Sequence, residues 1–244
     1  MFTIVKFKTL TSTNDTAKEY PINSVIIAEK QTNGRGRFNR EWSSADGGIY
    51  LSFVIKPKDW NLCIATFMSA LAIYNAIKKT CNLDTEIKWP NDLLFQGRKL
   101  VGILTENMHQ AENRKMIIGI GINVNNSIPK SLNAISLKDI LKKSLDKEKL
   151  ITILIPEFER LYQRYYSKKR FGYLITEWRK KCKTLGRIVR VNCIEGEFIG
   201  KAIDIDSNCR LIIQLKDGKK KKIIEGDVEY IGGHKSFSGR NFCG

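Results

Sequence analysis

The stretch "EIKWPNDLLFQGRKLVGILTE", Glu86–Glu106, decides the fold. It reads as a strand, a turn at Pro90-Asn91-Asp92 and a hairpin, because proline, asparagine and aspartate punctuate apolar runs. Just beyond it, "KMIIGIGINVN", Lys115–Asn125, is a strongly apolar strand. Upstream, residues 62–79 place Leu62, Ala65, Met68, Ala72, Ile73, Ala76 and Ile77 at helical spacing, which predicts one face of a core helix. Before that helix, "FTIVKFK" (2–8), "SVIIAEKQ" (24–31) and "GGIYLSFVI" (47–55) read as strands. "STNDTAKEY" (12–20) has the Ser/Thr/Asn start and Pro21 stop of a short helix. Sheet and helix are mixed along the chain, the signature of an α+β domain.

Downstream, residues 146–182 are helical in pattern, with Pro156 expected as a break or a first-turn proline. Beyond Gly186 the character changes to short alternating strands separated by Glu-Gly, Ser-Asn and Asp-Gly turns, as in a small barrel of about five strands. The expected organisation is a main domain over 1–184, a small β domain over 185–231 and a flexible tail over 232–244.

At 244 residues and 42% apolar composition, the chain can bury one good core and add a small second domain. It has no apolar run of the ~18 residues that a membrane span needs, and its start lacks the pattern of a secretory signal. A soluble cytoplasmic protein without a membrane role is therefore expected. The six cysteines, at 63, 81, 182, 193, 209 and 243, form no C-x-x-C pair and read as reduced, mostly buried thiols. His109 and His234 lie far apart and outside any nucleophile motif, which argues against triad chemistry. A net charge of +17 fits either attraction to anions or a composition in which lysine is the default solvated residue. The run Lys219–Lys222 beside a turn reads as a solvated edge strand before it reads as a nucleic-acid contact.

Chemistry concentrates in "QTNGRGRFNREW", Gln31–Trp42, where three arginines and two glycines close on a tryptophan. Glycines let backbone N–H groups approach an anion, arginines add planar charged forks, and an indole can stack on a base. These features describe a nucleotide site without separating ATP from RNA. The loop contains no Walker A motif, and "GIGINV" departs from the dinucleotide fingerprint at Val124. Polar clusters interrupt apolar strands at "STN" (12–14), "KWPND" (88–92) and "RKLVG" (98–102). A lysine in such a strand is costly without a fixed anion, which singles out Lys88 and Lys99. Each cluster also has a plainer reading: a helix cap for Ser12, a turn for Pro90–Asp92, an exposed edge for Lys99.

Taken in order, "TSTN", "AEKQTNGRGRFNREW", "GGIYLS", "KWPNDLL", "RKLVGIL" and "GIGINVN" resemble the biotin protein ligases, closely over residues 11–125 and more loosely through the C-terminal strands. The resemblance implies a mixed sheet flanked by helices, like that of class II synthetases, followed by an SH3-like β-barrel. It implies two steps: biotin and ATP give biotinyl-5'-AMP and pyrophosphate, and biotin then passes to a lysine of the biotin carboxyl carrier protein of acetyl-CoA carboxylase. Two anions must meet in the first step, which explains fixed cations, and the anhydride must be kept from water.

By the same resemblance, Ser12, Thr13, Asn14 and Gln31 bond the biotin ureido ring or neighbouring groups, and Gly102 lines the biotin slot. Arg35 and Arg37 fold over the carboxylate and α-phosphate, Arg40 reaches the outgoing phosphates, and Trp42 covers the adenine. Asn91 and Asn123 fall on the nucleotide side. Lys99 stabilises charge at the reacting oxygens, with Lys88 in support, so that Lys99 and Arg37 are the catalytic candidates. Mg²⁺ accompanies ATP, with Asp92 as its candidate ligand. Two departures stand out: Asn39 replaces the loop's usual last glycine, and Ser44-Ala45 replaces Ser-Pro. Asparagine tolerates positive φ, so the loop conformation is expected to survive, whereas loss of the proline is expected to loosen the segment. About ten residues precede the first motif, too few for a helix-turn-helix, so no DNA binding is expected. The resemblance implies a homodimer paired through a sheet edge, for which the 115–125 strand is the candidate, and the plainer reading of that strand is an ordinary buried one. Lipoate ligases are the nearest enzymatic alternative, and a nucleic-acid binding module is the alternative from another class.

Overall fold

Apolar residues at alternate positions fix the faces of a seven-stranded sheet, with order β1-β2-β3-β7-β6-β5-β4. In this computed structural model, which describes residues 1–57, 61–110 and 113–231, the strands are β1 (Thr3–Leu10), β2 (Ser24–Gln31), β3 (Ile49–Ile55), β4 (Glu86–Lys88), β5 (Asp92–Phe95), β6 (Arg98–Gln110) and β7 (Asn113–Ile122). β1 runs parallel to β2, and the remaining pairs are antiparallel. One face carries Val25, Ile27, Leu51, Phe53, Ile118, Ile120 and Ile122 into the main core. Helices α2 (Leu62–Cys81), α4 (Lys147–Leu161) and α5 (Phe171–Lys181) contribute to that core. Phe53 stacks on Phe158 at 3.7 Å and Phe67 on Trp178 at 3.8 Å. α2 is apolar nearly all round, as a helix buried on most sides must be.

The opposite face is divided. Ile26, Val54 and Ile117 pack with Ala17 of α1 (Thr13–Ala17) in a second, smaller cluster. Farther along the same strands, the face changes to Ser52, Gly119, Gly121 and Gly102, paired in register as Ser52↔Gly119 and Gly121↔Gly102. The alternation in "GIGI" thus sends isoleucines to the core and leaves glycines on the opposite face, where other side chains approach the backbone closely.

A short α3 (Leu137–Leu141), closed by a Ser136–Asp139 capping box, precedes α4. Pro156 lies inside α4 on its exposed side, rather than at a break or in the first turn. The carbonyl that it leaves unpaired, on Thr152, belongs to an exposed residue and can be hydrated. A π turn, Tyr162–Tyr166, ends this helix before α5, so the helical stretch is divided by the turn instead.

The C-terminal strands β8 (Ile188–Cys193), β9 (Gly196–Ile205), β10 (Leu211–Leu215), β11 (Lys220–Ile223) and β12 (Asp227–Tyr230) form an antiparallel sheet in the order β11-β10-β9-β8-β12. The main core continues into it through Val189, Val191, Ala202 and Leu211. Trp89, 1% exposed, joins the two sheets: its backbone N–H donates to Thr184 Oγ1 at 3.0 Å and its indole N–H to the Cys209 carbonyl at 3.0 Å. Lys219 lies in the turn and Lys220–Lys222 on an edge strand, with Lys221 paired to Glu195.

The 115–125 strand is not a sheet edge. β7 lies between β3 and β6 and is hydrogen-bonded on both sides, because the backbone N–H and C=O groups of its buried Met116–Ile122 stretch need partners. Any pairing of two copies through this sheet would have to use β1 or β4. Among the described cysteines, Cys182 and Cys209 are buried, while Cys63, Cys81 and Cys193 are half-buried, so "mostly buried" overstates their enclosure. Burial pushes the Cys182 thiol up to about 11, away from thiolate chemistry. Among the described residues, no helix is long and apolar enough to cross a membrane. The proposed tail over 232–244, with His234 and Cys243, lies outside the described residues.

Candidate functional site

The glycine-bearing face of the sheet, the Gln31–Trp42 loop and the start of β12 enclose a cleft of about 510 Å³. One end is a buried polar floor. Ser12 caps α1 by accepting from Asp15 N–H, and this turn places Thr13 and Asn14 against the sheet, each 4% exposed. Gln31 Oε1 accepts from Thr13 N–H at 2.7 Å, while its amide donates to Ser44 Oγ at 2.8 Å. Ser52, fully buried, touches Thr13 Oγ1 at 2.8 Å and Asn14 Oδ1 at 2.7 Å. Gly119 makes room for this arrangement, since a Cβ there would stand 2.2 Å from Asn14 Oδ1. The Asn14 amide donates to Glu106 Oε2 at 2.5 Å.

The arginine loop is a small hairpin. Trp42 N–H donates to the Gly34 carbonyl at 2.8 Å and Gly36 N–H to the Arg40 carbonyl at 2.7 Å. At its tip, Phe38 and Asn39 take φ of 54° and 55°, two successive left-handed residues as a tight hairpin demands. Asn39 therefore supplies the backbone conformation expected of the glycine it replaces. After Trp42, Ser44 is buried, and Tyr50 OH donates to the Ala45 carbonyl at 2.6 Å, so hydrogen bonds hold the segment that lacks proline.

The three arginines have different partners. Arg35 reaches Asp15 at 2.7 Å and Glu106 at 3.4 Å, so two carboxylates pin it at the floor. Burial works to raise the Asp15 carboxyl, yet Lys18 and Arg35 hold it below the usual carboxylate range. Arg37 donates to the Gly226 carbonyl at 3.2 Å and to Asn91 Oδ1 at 3.4 Å. Arg40, 65% exposed, pairs with Asp227.

On the far wall, register aligns Lys88, Asp92, Gly102, Gly121 and Tyr50 in a row across five strands. A bulge shifts the β5–β6 pairing between Leu93↔Val101 and Leu94↔Lys99, skipping Leu100. It buries both Leu100 and Val101 and turns Lys99 to the same side as Gly102, which strict alternation would forbid. Lys99 Nζ lies 2.7 Å from Asp92 Oδ1 as an ion pair, although that oxygen has no directed hydrogen bond. Burial lowers the Lys88 pKa, opposed by the charge of Asp92.

Trp42 lies flat on the glycines: a Cβ on Gly121 would meet its Nε1 at 2.4 Å and one on Gly102 its ring at 2.7 Å. Lys99 Nζ sits 5.3 Å from the indole centroid. The ring separates the main cleft from a side chamber of about 190 Å³ lined by Asn123, Asn126, Ile128, Pro129 and Leu132. Thus Ser12, Thr13, Asn14, Gln31, Arg35, Arg37, Arg40, Trp42, Lys88, Asn91, Asp92, Lys99 and Gly102 meet in one cleft, while Asn123 lies behind the indole. Asn123 donates to the Lys99 carbonyl at 3.5 Å. Sequence reasoning missed Ser52, Glu106 and Asp227. Glu106 was findable, because it shares the alternate-position face of Gly102 and Leu104, whereas Asp227 reaches the cleft only through tertiary packing.

Residues 4–123 match the family model described as biotin/lipoate A/B protein ligase, and residues 184–230 match the biotin protein ligase C terminal domain. The chain is 35% identical over 237 residues to the bifunctional ligase/repressor BirA of Bacillus subtilis, covering 90% of this chain and 71% of that protein. It is 32% identical over 217 residues to the biotin–[acetyl-CoA-carboxylase] ligase of Mycobacterium tuberculosis, covering 85% of this chain and 79% of the relative. The solved structure of the Aquifex aeolicus biotin protein ligase in complex with biotin and ATP superimposes with a TM-score of 0.84 at 29% identity, covering 94% of this chain and 99% of that one. With these similarities spanning both of its sheets, the chain belongs to the biotin/lipoate A/B protein ligase family.

Proposed function

We propose that the chain is an ATP-dependent biotin protein ligase acting in the cytoplasm. In the first step, a biotin carboxylate oxygen bonds to the α-phosphorus of ATP, the bond to the β-phosphate bridging oxygen breaks, and pyrophosphate leaves. In the second, a neutral lysine amine of the carrier attacks the acyl carbon, AMP departs with the electron pair of the C–O bond, and the amine loses its proton. The single observation that carries this reading is the polarity of the cleft: a hydrogen-bonding floor at one end and the Lys88, Lys99 and Arg37 charges at the other.

The ureido end of biotin belongs at Thr13, Asn14 and Gln31, with Ser12 at the turn and the bicyclic ring over Gly102 once the Trp42 indole, which covers this glycine here, has moved aside. Its carboxylate then points to Lys99, which meets the α-phosphate together with Arg37 and is supported by Lys88. Arg40 takes the outgoing phosphates, and Asn91 holds Arg37 in line. Trp42 and Asn123 bound the chamber that suits the adenine, between an indole face and the apolar Ile128, Pro129 and Leu132. Arg35, held by Asp15 and Glu106, positions the loop at the floor. Mg²⁺ takes oxygen ligands from phosphates and one or two carboxylates. No cluster of three acidic, histidine or cysteine side chains is found among the described residues, and Asp92, now paired with Lys99, would supply one such oxygen to an ion that would neutralise phosphate charge.

Incubation of the purified protein with ATP, Mg²⁺ and biotin is expected to release pyrophosphate and form biotinyl-AMP, detected by mass spectrometry. Lipoate in place of biotin is expected to yield no adenylate, and formation of lipoyl-AMP in preference would refute the assignment.

A further inference from the structure

We propose that the turn between β11 and β12, Glu225–Asp227, is a built-in competitor for the nucleotide's phosphates and so sets the affinity of the cleft for ATP. The proposal rests on the reading that Arg37 and Arg40 receive phosphate oxygens. In the present structure these two arginines already face an acceptor array supplied by the C-terminal sheet. Arg37 Nη1 donates to the Gly226 carbonyl at 3.2 Å and Arg37 Nη2 lies 3.8 Å from Glu225 Oε2, while Arg40 pairs with Asp227. Two carboxylates and a carbonyl opposite two guanidinium forks offer the same kind of oxygen contact as a polyphosphate.

The array is fixed rather than incidental. Asp227 pairs in register with Asn192 of β8, and Gly226 is buried so closely that a Cβ would stand 2.7 Å from the Asn192 carbonyl. Gly226 and Asp227 line the same cleft as Lys88 and Lys99. A guanidinium has a limited set of N–H donors in a fixed plane, so Arg40 cannot fully serve both Asp227 and a phosphate. ATP must therefore exchange these contacts for its own. The turn keeps the cationic hairpin neutralised and in place until nucleotide arrives, at the expense of some nucleotide affinity. The C-terminal sheet thereby acts on the adenylation step.

Biotin-dependent exchange of pyrophosphate into ATP, measured for Asp227→Asn, Arg40→Ala and the double variant, tests the proposal. Asp227→Asn is expected to lower KM for ATP by about two- to fivefold, the scale of a partly exposed ion pair, while KM for biotin stays at the wild-type value. In the Arg40→Ala background the same substitution is expected to do nothing. Glu225→Gln, acting on Arg37, provides a second variant should Asp227→Asn melt early. A raised or unaltered KM for ATP in Asp227→Asn, or a fall that persists without Arg40, overturns the proposal while leaving the ligase reading intact. An Arg40→Ala enzyme with wild-type KM for ATP refutes the phosphate role of Arg40 itself, and the competitor with it.

Discussion

The two ends of the cleft are built on opposite terms. At the floor, Thr13, Asn14 and Ser52 are almost wholly buried, and their polar atoms meet one another or Gln31 and Glu106 at hydrogen-bond distance. At the cationic end, Arg37 and Arg40 sit on a hairpin whose tip holds two left-handed residues, and their present partners are a carbonyl and carboxylates near the surface. Buried polar networks are rigid because every lost partner is costly, whereas exposed ion pairs exchange at little cost. On the proposed function, the contrast fits recognition of the neutral ring at the fixed end and management of migrating negative charge at the adjustable one.

The largest effect that would sharpen this contrast is expected from Lys99→Ala. It removes the cation proposed to meet the reacting oxygens and should lower adenylate formation by about 10²–10³-fold, with biotin binding by calorimetry far less affected. If biotin binding falls equally, Lys99 belongs to the floor and the division fails. Next comes Gly119→Ala, whose methyl would collide with Asn14 Oδ1. KM for biotin should rise on the order of tenfold or more while KM for ATP hardly moves. Glu106→Gln should be milder and double-edged, because Glu106 holds both Asn14 and Arg35. Both KM values are expected to rise several-fold, up to about tenfold, and a change in the biotin value alone would show that Arg35 does not couple the ends.

The smallest effect concerns pH. The folded Asp15 carboxyl lies below its ordinary value, so its clasp contributes stability above the unfolded pKa of about 4 and loses it as pH falls through the lower folded value. Thermal melts of Asp15→Asn should accordingly trail wild type at neutral pH and converge with it in acid. A gap that widens on acidification would reverse the sign.

Much of this was legible because local chemistry survives folding. The short helix after Ser12, the loop after β2, the apolar α2 and the five C-terminal strands follow from residue patterns, and Asn39 kept its positive φ for the reason its side chain suggested. Less was legible where distant segments decide. Lys99 and Gly102 share a face only through the bulge opposite Leu93 and Leu94, which no alternation rule in β6 alone foretells. The strand 115–125 read equally as an ordinary buried strand or as a dimer edge, and only β3, some sixty residues earlier, decides for the first by taking one side of it. Pro156 looked like a helix break, yet the apolar face formed by Leu150, Leu154, Ile155 and Phe158 outweighed the lost bond. The partners of Arg35, Asp15 and Glu106, were hidden for the same reason, since they lie twenty residues before and seventy-one after it.

The indole of Trp89 has a consequence for how the molecule comes apart. Since this ring is a rivet through both sheets, tied to Cys209 on one side and seated in the shared interior on the other, neither sheet can melt without stripping a large aromatic surface from its neighbour. Calorimetry of the whole chain should therefore record one cooperative endotherm rather than two, and trimming the chain after residue 184 should leave a remnant that aggregates instead of a smaller working enzyme.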